Sequence, residues 1–484
     1  MGDFQIENGC LKKYTGTDAE AAVPEGITYI GEKAFDECRN LVRVSLPESV
    51  TSIGRFAFLE CKQLKDICLS KSVNHIESFA FCGCESLTEA VCPHDLKTIE
   101  DCVFIHCTGL KRIALPEGLT SIGAMAFSGC ENLEHIEIPD GVTSIGEEAF
   151  YGCKSLKSIR MPKQMNRMGA GAFEYCEKLT GIDIPQGVKE IEERTFFECT
   201  RLERVSLPAG LESIGKRAFF WCEFLHHIDI PESVTEIGPE AFYKCITLEH
   251  VTLSENIGTI RKKAFLGCGA MKQIHVDERN RHYRAIDGVL YNKAGTKLIR
   301  CPEGKKNVIF SERVTSIEKG AFEGCSGLLE ICLPESVTSI GRGAFYQCSR
   351  LEKIVLPEGV EKIEKELFGY CRALTSITIP GRVARIEKGA FSGCDHLKDI
   401  VIPDSVKEID PGWRETQPPC KMKLTIHTTP GSYAEWFARE NKIRCKLLPS
   451  CGFLNHEPCI PFARRKRDAG LYWKKATISS AGGS

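Results

Sequence analysis

No stretch of the 484-residue chain is apolar for the roughly 20 consecutive residues that a membrane-spanning helix needs. An excess of charge is missing as well. Lys and Arg number 63 against 65 Asp and Glu, a formal net charge of -2, so the basic surplus that marks nucleic-acid and anionic-membrane binders is absent. Absent too are a glycine-rich phosphate loop, an H-E-x-x-H helix and a nucleophile elbow, the compact signatures of phosphate binding, zinc hydrolysis and serine hydrolysis. The opening residues, Met1-Gly2-Asp3-Phe4-Gln5-Ile6-Glu7, carry acids where an export signal needs a basic and then an apolar segment. The expectation is a cytoplasmic chain.

Cysteine, by contrast, is plentiful, with 26 in the chain. Eleven of them, Cys38 to Cys268, recur every 23 residues without a break. After a gap of 57 residues Cys325, Cys348, Cys371 and Cys394 take up the same spacing. A Phe stands three residues before each of these, from Phe35 to Phe391, and a Leu three residues after, with Met271 substituting once. The shared skeleton is I-G-x-x-A-F-x-x-C-x-x-L-x-x-I-x-I-P. A fixed period in the twenties is the mark of a solenoid, whose units cannot bury a face alone and must stack.

Within one unit, Ile136 and Ile138 are two apart and read as a short strand with Glu137 facing out. Pro139 ends it, having no N–H for a ladder, and Asp140-Gly141 makes a turn. Val142 and Ile145 form a second inward-facing segment. Gly146 to Phe150 then reads as a helical stub, with Phe150 and Cys153 on one face. A column of fifteen such Phe rings reads as packing and not as a ligand box. The repeat cysteines read as small, weakly polar residues of the inner wall. Coils about 4.8 Å apart would not forbid bridges between them, but the expected compartment favours reduced thiols.

These motifs resemble the BspA-type leucine-rich repeat over residues 23–410. The unit differs from the more familiar leucine-rich repeat, which carries Asn or Cys a few residues after the strand. Here that position holds Ser49, Gly118, Gly141, Gly187 and Ser336. The fold expected is a repeat solenoid of leucine-rich-repeat type, a right-handed coil of short β-strands with short helical stubs, mixed α/β. The resemblance implies an interaction protein, many such proteins being bacterial or protist surface proteins.

Residues 1–22, with Phe4, Ile6, Leu11 and Tyr14, read as an N-terminal cap, and 23–410 as the solenoid. An insert at about 277–302 breaks the phase. Its apolar runs Ile286–Tyr291 and Lys297–Cys301, joined by Asn292–Thr296, read as a β-hairpin, either an insertion on one edge or a clamp on a binding face. Residues 411–447 read as a capping strand, with Leu424 and Ile426, and a helix carrying Tyr433, Trp436 and Phe437. Residues 448–484 read as a flexible tail.

Cys445, Cys451, His456 and Cys459 lack the close pairing usual in zinc sites, and neither a metal nor a cofactor is expected. Outward strand positions remain, where packing does not dictate residue type. In the middle coils these hold His135, Glu137, Arg160, Asp183, Arg204, His227, Asp229, His250 and His275. Flanking coils are blander. The set reads as a solvated face, as a protein-binding patch, since Arg is favoured at interface hot spots, or as a metal or catalytic site using the histidines with Asp183 or Asp229. Nothing supplies a walled pocket for the last. The function expected is a non-catalytic protein-binding or scaffolding repeat protein, a monomer whose partner is another protein and not nucleic acid. The alternatives are a surface adhesin, or a metal-dependent hydrolase beside 277–302 drawing on Asp287, Tyr291 and Lys297.

Overall fold

Ile136 sits at the centre of a three-residue strand, His135–Glu137, whose side chains run exposed, buried, exposed. The same pattern recurs in Arg43–Ser45, Arg112–Ala114, Ser158–Arg160 and Arg204–Ser206, as a β-branched anchor between two outward neighbours on a pleat requires. A two-residue strand follows in each coil, Ser144–Ile145 being typical. Both kinds pair parallel with residues 23 further on: His135 with Ser158, Ile136 with Ile159, and Ser144 with Arg167. Each coil thus adds a rung to its neighbour and a layer to a shared core.

The chain is described here by a computed structural model that covers residues 3–414 and 424–449. It divides into two compact units, one ending at Tyr283 and the other beginning at Arg284. Residues 450–484, most of the expected tail, lie outside the described residues, as do Cys451, His456 and Cys459.

The segment read as a helical stub is instead a run of turns. Glu148 and Gly152 have φ of 52° and 67°, and the equivalent residues one coil earlier, Met125 and Gly129, 53° and 74°. Hydrogen bonding alternates along the run. The N–H groups of Glu148, Phe150 and Gly152 donate to the carbonyls of Ala170, Ala172 and Glu174 in the next coil, at 2.8–2.9 Å. Those of Tyr151 and Cys153 turn back to Glu148 and Phe150, at 3.0 and 3.2 Å. A helix would spend its N–H groups on carbonyls within its own coil and leave this wall without a ladder. The left-handed residues, each costing about 1–2 kcal/mol when not glycine, are offset by the bonds they aim at the next coil. Strand and turn therefore make up nearly the whole fold in place of the mixed α/β coil expected, and among the described residues the single α-helix is Tyr433–Glu440.

Phe104, Phe127, Phe150 and Phe173 stack face to face, with centroids 5.4–5.6 Å apart and planes within 9°. Beside them the thiols are bonded. Cys153 Sγ donates to the carbonyl of Phe127 at 3.3 Å, and Cys176 Sγ to that of Phe150 at 3.2 Å. Each such carbonyl already accepts the N–H of its own coil's cysteine, so the thiol occupies its second lone pair. Burial pushes the Cys61 thiol up to about 12, and Cys394 likewise. At neutral pH these are protonated donors and not nucleophiles.

The first unit opens with Phe4–Glu7 paired antiparallel to Cys10–Tyr14, which joins the parallel ladder at Leu11 and Ile30. Tyr14 heads the ring stack, 5.2 Å from Phe35. At the other end Asn280 is fully buried. Its amide donates to the carbonyls of Ser254 and Ile257 and accepts the N–H groups of His282 and Tyr283, at 2.8–2.9 Å.

The second unit also opens on a hairpin. Val289–Asn292 pairs antiparallel with Lys297–Arg300, and the latter enters the parallel ladder opposite Ser316–Ile317. Tyr291, Leu298 and Cys301 are fully buried. The segment thus forms the first wall of the second unit's core. The division into two units falls where the 23-residue phase breaks. At the far end Trp413 takes the place of the next Phe, 5.6 Å from Phe391 and 6.2 Å from Phe437 of the helix. Ser432 caps that helix by accepting the N–H of Glu435 at 3.1 Å. The strand Thr425–Thr428 pairs with Asp399–Val401 and with Arg444–Leu447.

Candidate functional site

The nine outward residues all lie in the first unit; seven stand on short strands, whereas His227 and Asp229 belong to a coil in which no outer strand forms, so the ladder is interrupted there. Glu137 and Arg160 are directly opposite each other, yet they do not pair. Arg160 reaches Asp140 at 3.2 Å, while Glu137 meets His135 at 3.5 Å. The Nδ1 of His135 lies 2.9 Å from Ser158 Oγ. Farther along, Arg204 forms an ion pair with Asp183 of the preceding coil. His227 Nε2 lies 2.7 Å from Asp229 Oδ1. The His227 and His250 rings are 5.1 Å apart, and His250 and His275 6.1 Å. The nine residues thus fall into three sets: the His135, Glu137 and Arg160 group, the Arg204–Asp183 pair, and a three-histidine cluster with Asp229.

These groups are wet. Asp229 is 93% exposed and His227 51%, so each ion pair here is worth about 1 kcal/mol or less. Among the described residues no three His, Cys, Asp or Glu side chains converge as a metal would require. Among the described residues, an open groove of about 580 Å³ lies in the second unit, lined by Glu361, Lys362, Arg382, Ala384 and Arg385. Cys445 is exposed on the strand Arg444–Leu447. The residues of the hydrolase alternative each have a structural partner. Tyr291 accepts the Ser311 N–H at 3.3 Å, Lys297 pairs with Glu318 at 2.8 Å, and Asp287 with Lys305 at 2.9 Å.

A second surface escapes the strand-face reading. In four coils of the first unit the residue after the core Phe is itself aromatic: Tyr151, Phe197, Phe220 and Tyr243. Phe197, Phe220 and Tyr243 stack at 4.7 Å, and Tyr175 bridges Tyr151 and Phe197 edge-on, at 5.3 and 5.6 Å. Arg194 lies over Phe197, Arg217 over Phe220 and Lys244 over Trp221, at 5.2, 5.4 and 4.5 Å. The signal was present in the 23-residue period, one position past the core Phe. Between Tyr151 and Phe197 the row is interrupted by Glu174, which is fully buried and ion-paired with Arg194. Burial outweighs that cation and pushes the carboxyl up to about 7.

Stacked parallel rungs, an inner column of Phe and Cys and an exposed outer column define a leucine-rich-repeat solenoid. The model of the BspA type leucine rich repeat region matches residues 5–134, 74–202, 167–284 and 301–413, and the chain belongs to that family. Among solved structures, a leucine-rich repeat protein from Bacteroides ovatus is similar at 26% identity over 92% of this chain and 97% of its own, with a TM-score of 0.49. A leucine rich cell surface protein from Faecalibacterium prausnitzii is similar at 24% over 90% and 96%, TM-score 0.42. The pneumococcal vaccine antigen PcpA is similar at 19% over 92% and 93%, TM-score 0.38. Comparison with curated proteins returns no match.

Proposed function

We propose that this chain is a non-catalytic, monomeric binding or scaffolding protein whose partner, another folded protein, docks on the outward strand positions of the middle coils. The observation that carries this reading is the set Asp183, Arg204, His227, Asp229 and His275, exposed on consecutive coils with the half-buried His250 among them, and held by a continuous core. Such a grid is polar and mixed in sign, which suits a protein surface better than the uniform charge of a nucleic-acid backbone. The rungs are ordered before binding, so association loses little backbone freedom. The test is affinity capture of the partner, followed by charge reversal. Arg160→Glu with Arg204→Glu is expected to weaken binding at least tenfold, and Arg43→Glu with Arg112→Glu in the flanking coils to leave it within twofold. Equal losses, or none from the central pair, would overturn the assignment.

Among the described residues no helix is long and apolar enough to cross a membrane. A cytoplasmic location is the reading that the repeat thiols support, because thirteen of the fifteen serve as protonated donors to a Phe carbonyl. Placement at the cell surface is the alternative, and the Faecalibacterium protein is described in those terms. Thiol counting in protein alkylated within intact cells separates them: free cysteines throughout support the first, coil-to-coil disulfides the second.

A further inference from the structure

Glu174 is a charged residue where its neighbours in the same column are aromatic. One coil earlier stands Tyr151, and the next two coils bring Phe197 and Phe220. Its side chain is 1% exposed. Oε1 takes the Arg194 guanidinium, while Oε2 has no hydrogen-bond partner, and neither has Arg194 Nε. Room for the carboxylate comes from Gly171, the left-handed residue of that coil, with φ of 61°. A Cβ there would stand 3.2 Å from Oε2 and 3.1 Å from Glu148 Cγ. The clasp is therefore built from two departures from the neighbouring coils, a missing side chain and a buried acid, joined by a cation that reaches back from the next coil.

We propose that Glu174 and Arg194 form a proton-operated clasp on the aromatic row of the first unit. While Glu174 is ionised, Arg194 is held across it and over Phe197. When Oε2 takes a proton from solvent, the carboxyl becomes neutral and the guanidinium, still charged, is free to turn outward. The charged surroundings set where this happens. Glu148 from the preceding coil and Glu198 from the following one raise the carboxyl's affinity for a proton, and Arg194 lowers it. Tyr175, on Glu174's own coil, adds no charge at neutral pH, since burial pushes its phenol upward. Burial is the largest influence and brings the midpoint to about 7. The clasp is separate from the strand face and does not rest on that face's role.

Local opening returns Glu174 to water, where a carboxyl titrates near 4.3. The folded segment binds the proton more tightly than the locally unfolded one, whether Arg194 is held or turned outward, so protection of the segment rises as pH falls through about 7 and is lost as pH rises through it. Hydrogen exchange of residues 170–198 in the full chain, corrected for the intrinsic pH dependence of exchange, reads this between pH 5.5 and 8.5. At least a threefold step in protection is expected in the wild type. Glu174→Gln should flatten it. Arg194→Gln should move the midpoint upward by removing the favourable cation, and Glu148→Gln should move it downward. A step that persists in Glu174→Gln, a wild type without a step, or a midpoint that Arg194→Gln leaves in place would each overturn the clasp.

Discussion

In the first unit Phe173 and Phe196 stack at 5.6 Å with planes 3° apart, and in the second Phe322 and Phe345 do so at 4.9 Å and 9°. The thiols of the following coils donate to those carbonyls in both units: Cys199 to Phe173 at 3.1 Å, and Cys348 to Phe322 at 3.1 Å. The outer strand column of the first unit's middle coils differs from that of the second unit. Asp183 and Asp229 are exposed acids beside Arg204 and His227, whereas the matching residues of the second unit, Cys332, Val355, Thr378 and Val401, are half-buried and mostly apolar. An inner residue must fit the coil on either side of it, so each substitution is judged twice by neighbours of its own kind. An outer residue answers to water or to a partner. Conformity inside and divergence outside is what a stacking constraint on one face alone produces.

If the inner columns are equivalent, Phe196→Ala and Phe345→Ala should each cost about 3–5 kcal/mol, as large-to-small core changes do. Denaturant unfolding, followed with fragment-resolved hydrogen exchange, should place the loss first in the coils next to each substitution. A change below about 1 kcal/mol at either site would separate the two units after all.

The inner columns were legible in the sequence because every 23rd residue returns to the same face, and Phe35 to Phe391 needed only counting. The turn run was not. Phe150 and Cys153 lie three apart, as on a helix, and only the positive φ of Glu148 and Gly152 shows that the N–H groups alternate between coils. The hairpin at Val289–Arg300 looked like an insertion because its spacing breaks the period, although Leu298 lies in the ladder opposite Ile317. At the candidate face, a spacing of 23 puts His250 beside His227. That Arg160 chooses Asp140 over the facing Glu137 depends on side-chain torsions, and a repeat period does not carry those. The burial of Glu174 was equally hidden, because it needs Gly171 in its own coil and Arg194 in the next.

The next effect sharpens the comparison, because it belongs to the first unit alone. Glu174 has its carboxyl pushed up to about 7, against about 4.3 in an unfolded chain. Between those values the folded state holds a proton that the unfolded state has released. Stability from this group is therefore fully present below about pH 4.3 and lost as pH rises through about 7, amounting to roughly 4 kcal/mol at 1.36 kcal/mol per pH unit. Other carboxylates titrate over the same range, so the quantity to measure is the wild type's stability minus that of Glu174→Gln at each pH. The difference should fall from pH 5 to pH 8. A flat difference would mean that the carboxyl stays ionised under Arg194 throughout.

The smallest effect concerns how each unit makes the left-handed residue that opens its turn run. In the first unit ten of the eleven coils hold a non-glycine residue there, among them Lys33, Phe56, Met125, Glu148 and Arg194 with φ of 52–59°, and the exception is Gly171. In the second unit three of four hold glycine, Gly320, Gly343 and Gly389, with φ of 59–69°, and the exception is Glu366 at 58°. The backbone shape is shared, and the residue that bears it mostly is not. A side chain at this φ costs about 1–2 kcal/mol, while glycine loosens the unfolded chain by roughly 0.4–1 kcal/mol. Lys33→Gly should therefore stabilise the first unit by several tenths of a kcal/mol. Gly343→Ala should destabilise the second by a similar amount. A built Cβ at Gly343 comes no nearer than 3.6 Å to Tyr346 Cβ, so the backbone and not a clash sets the size of that loss. Paired thermal unfolding of the two variants reads the signs directly. Opposite shifts in melting temperature are expected, and two shifts of the same sign would show that something other than φ decides which unit carries glycine.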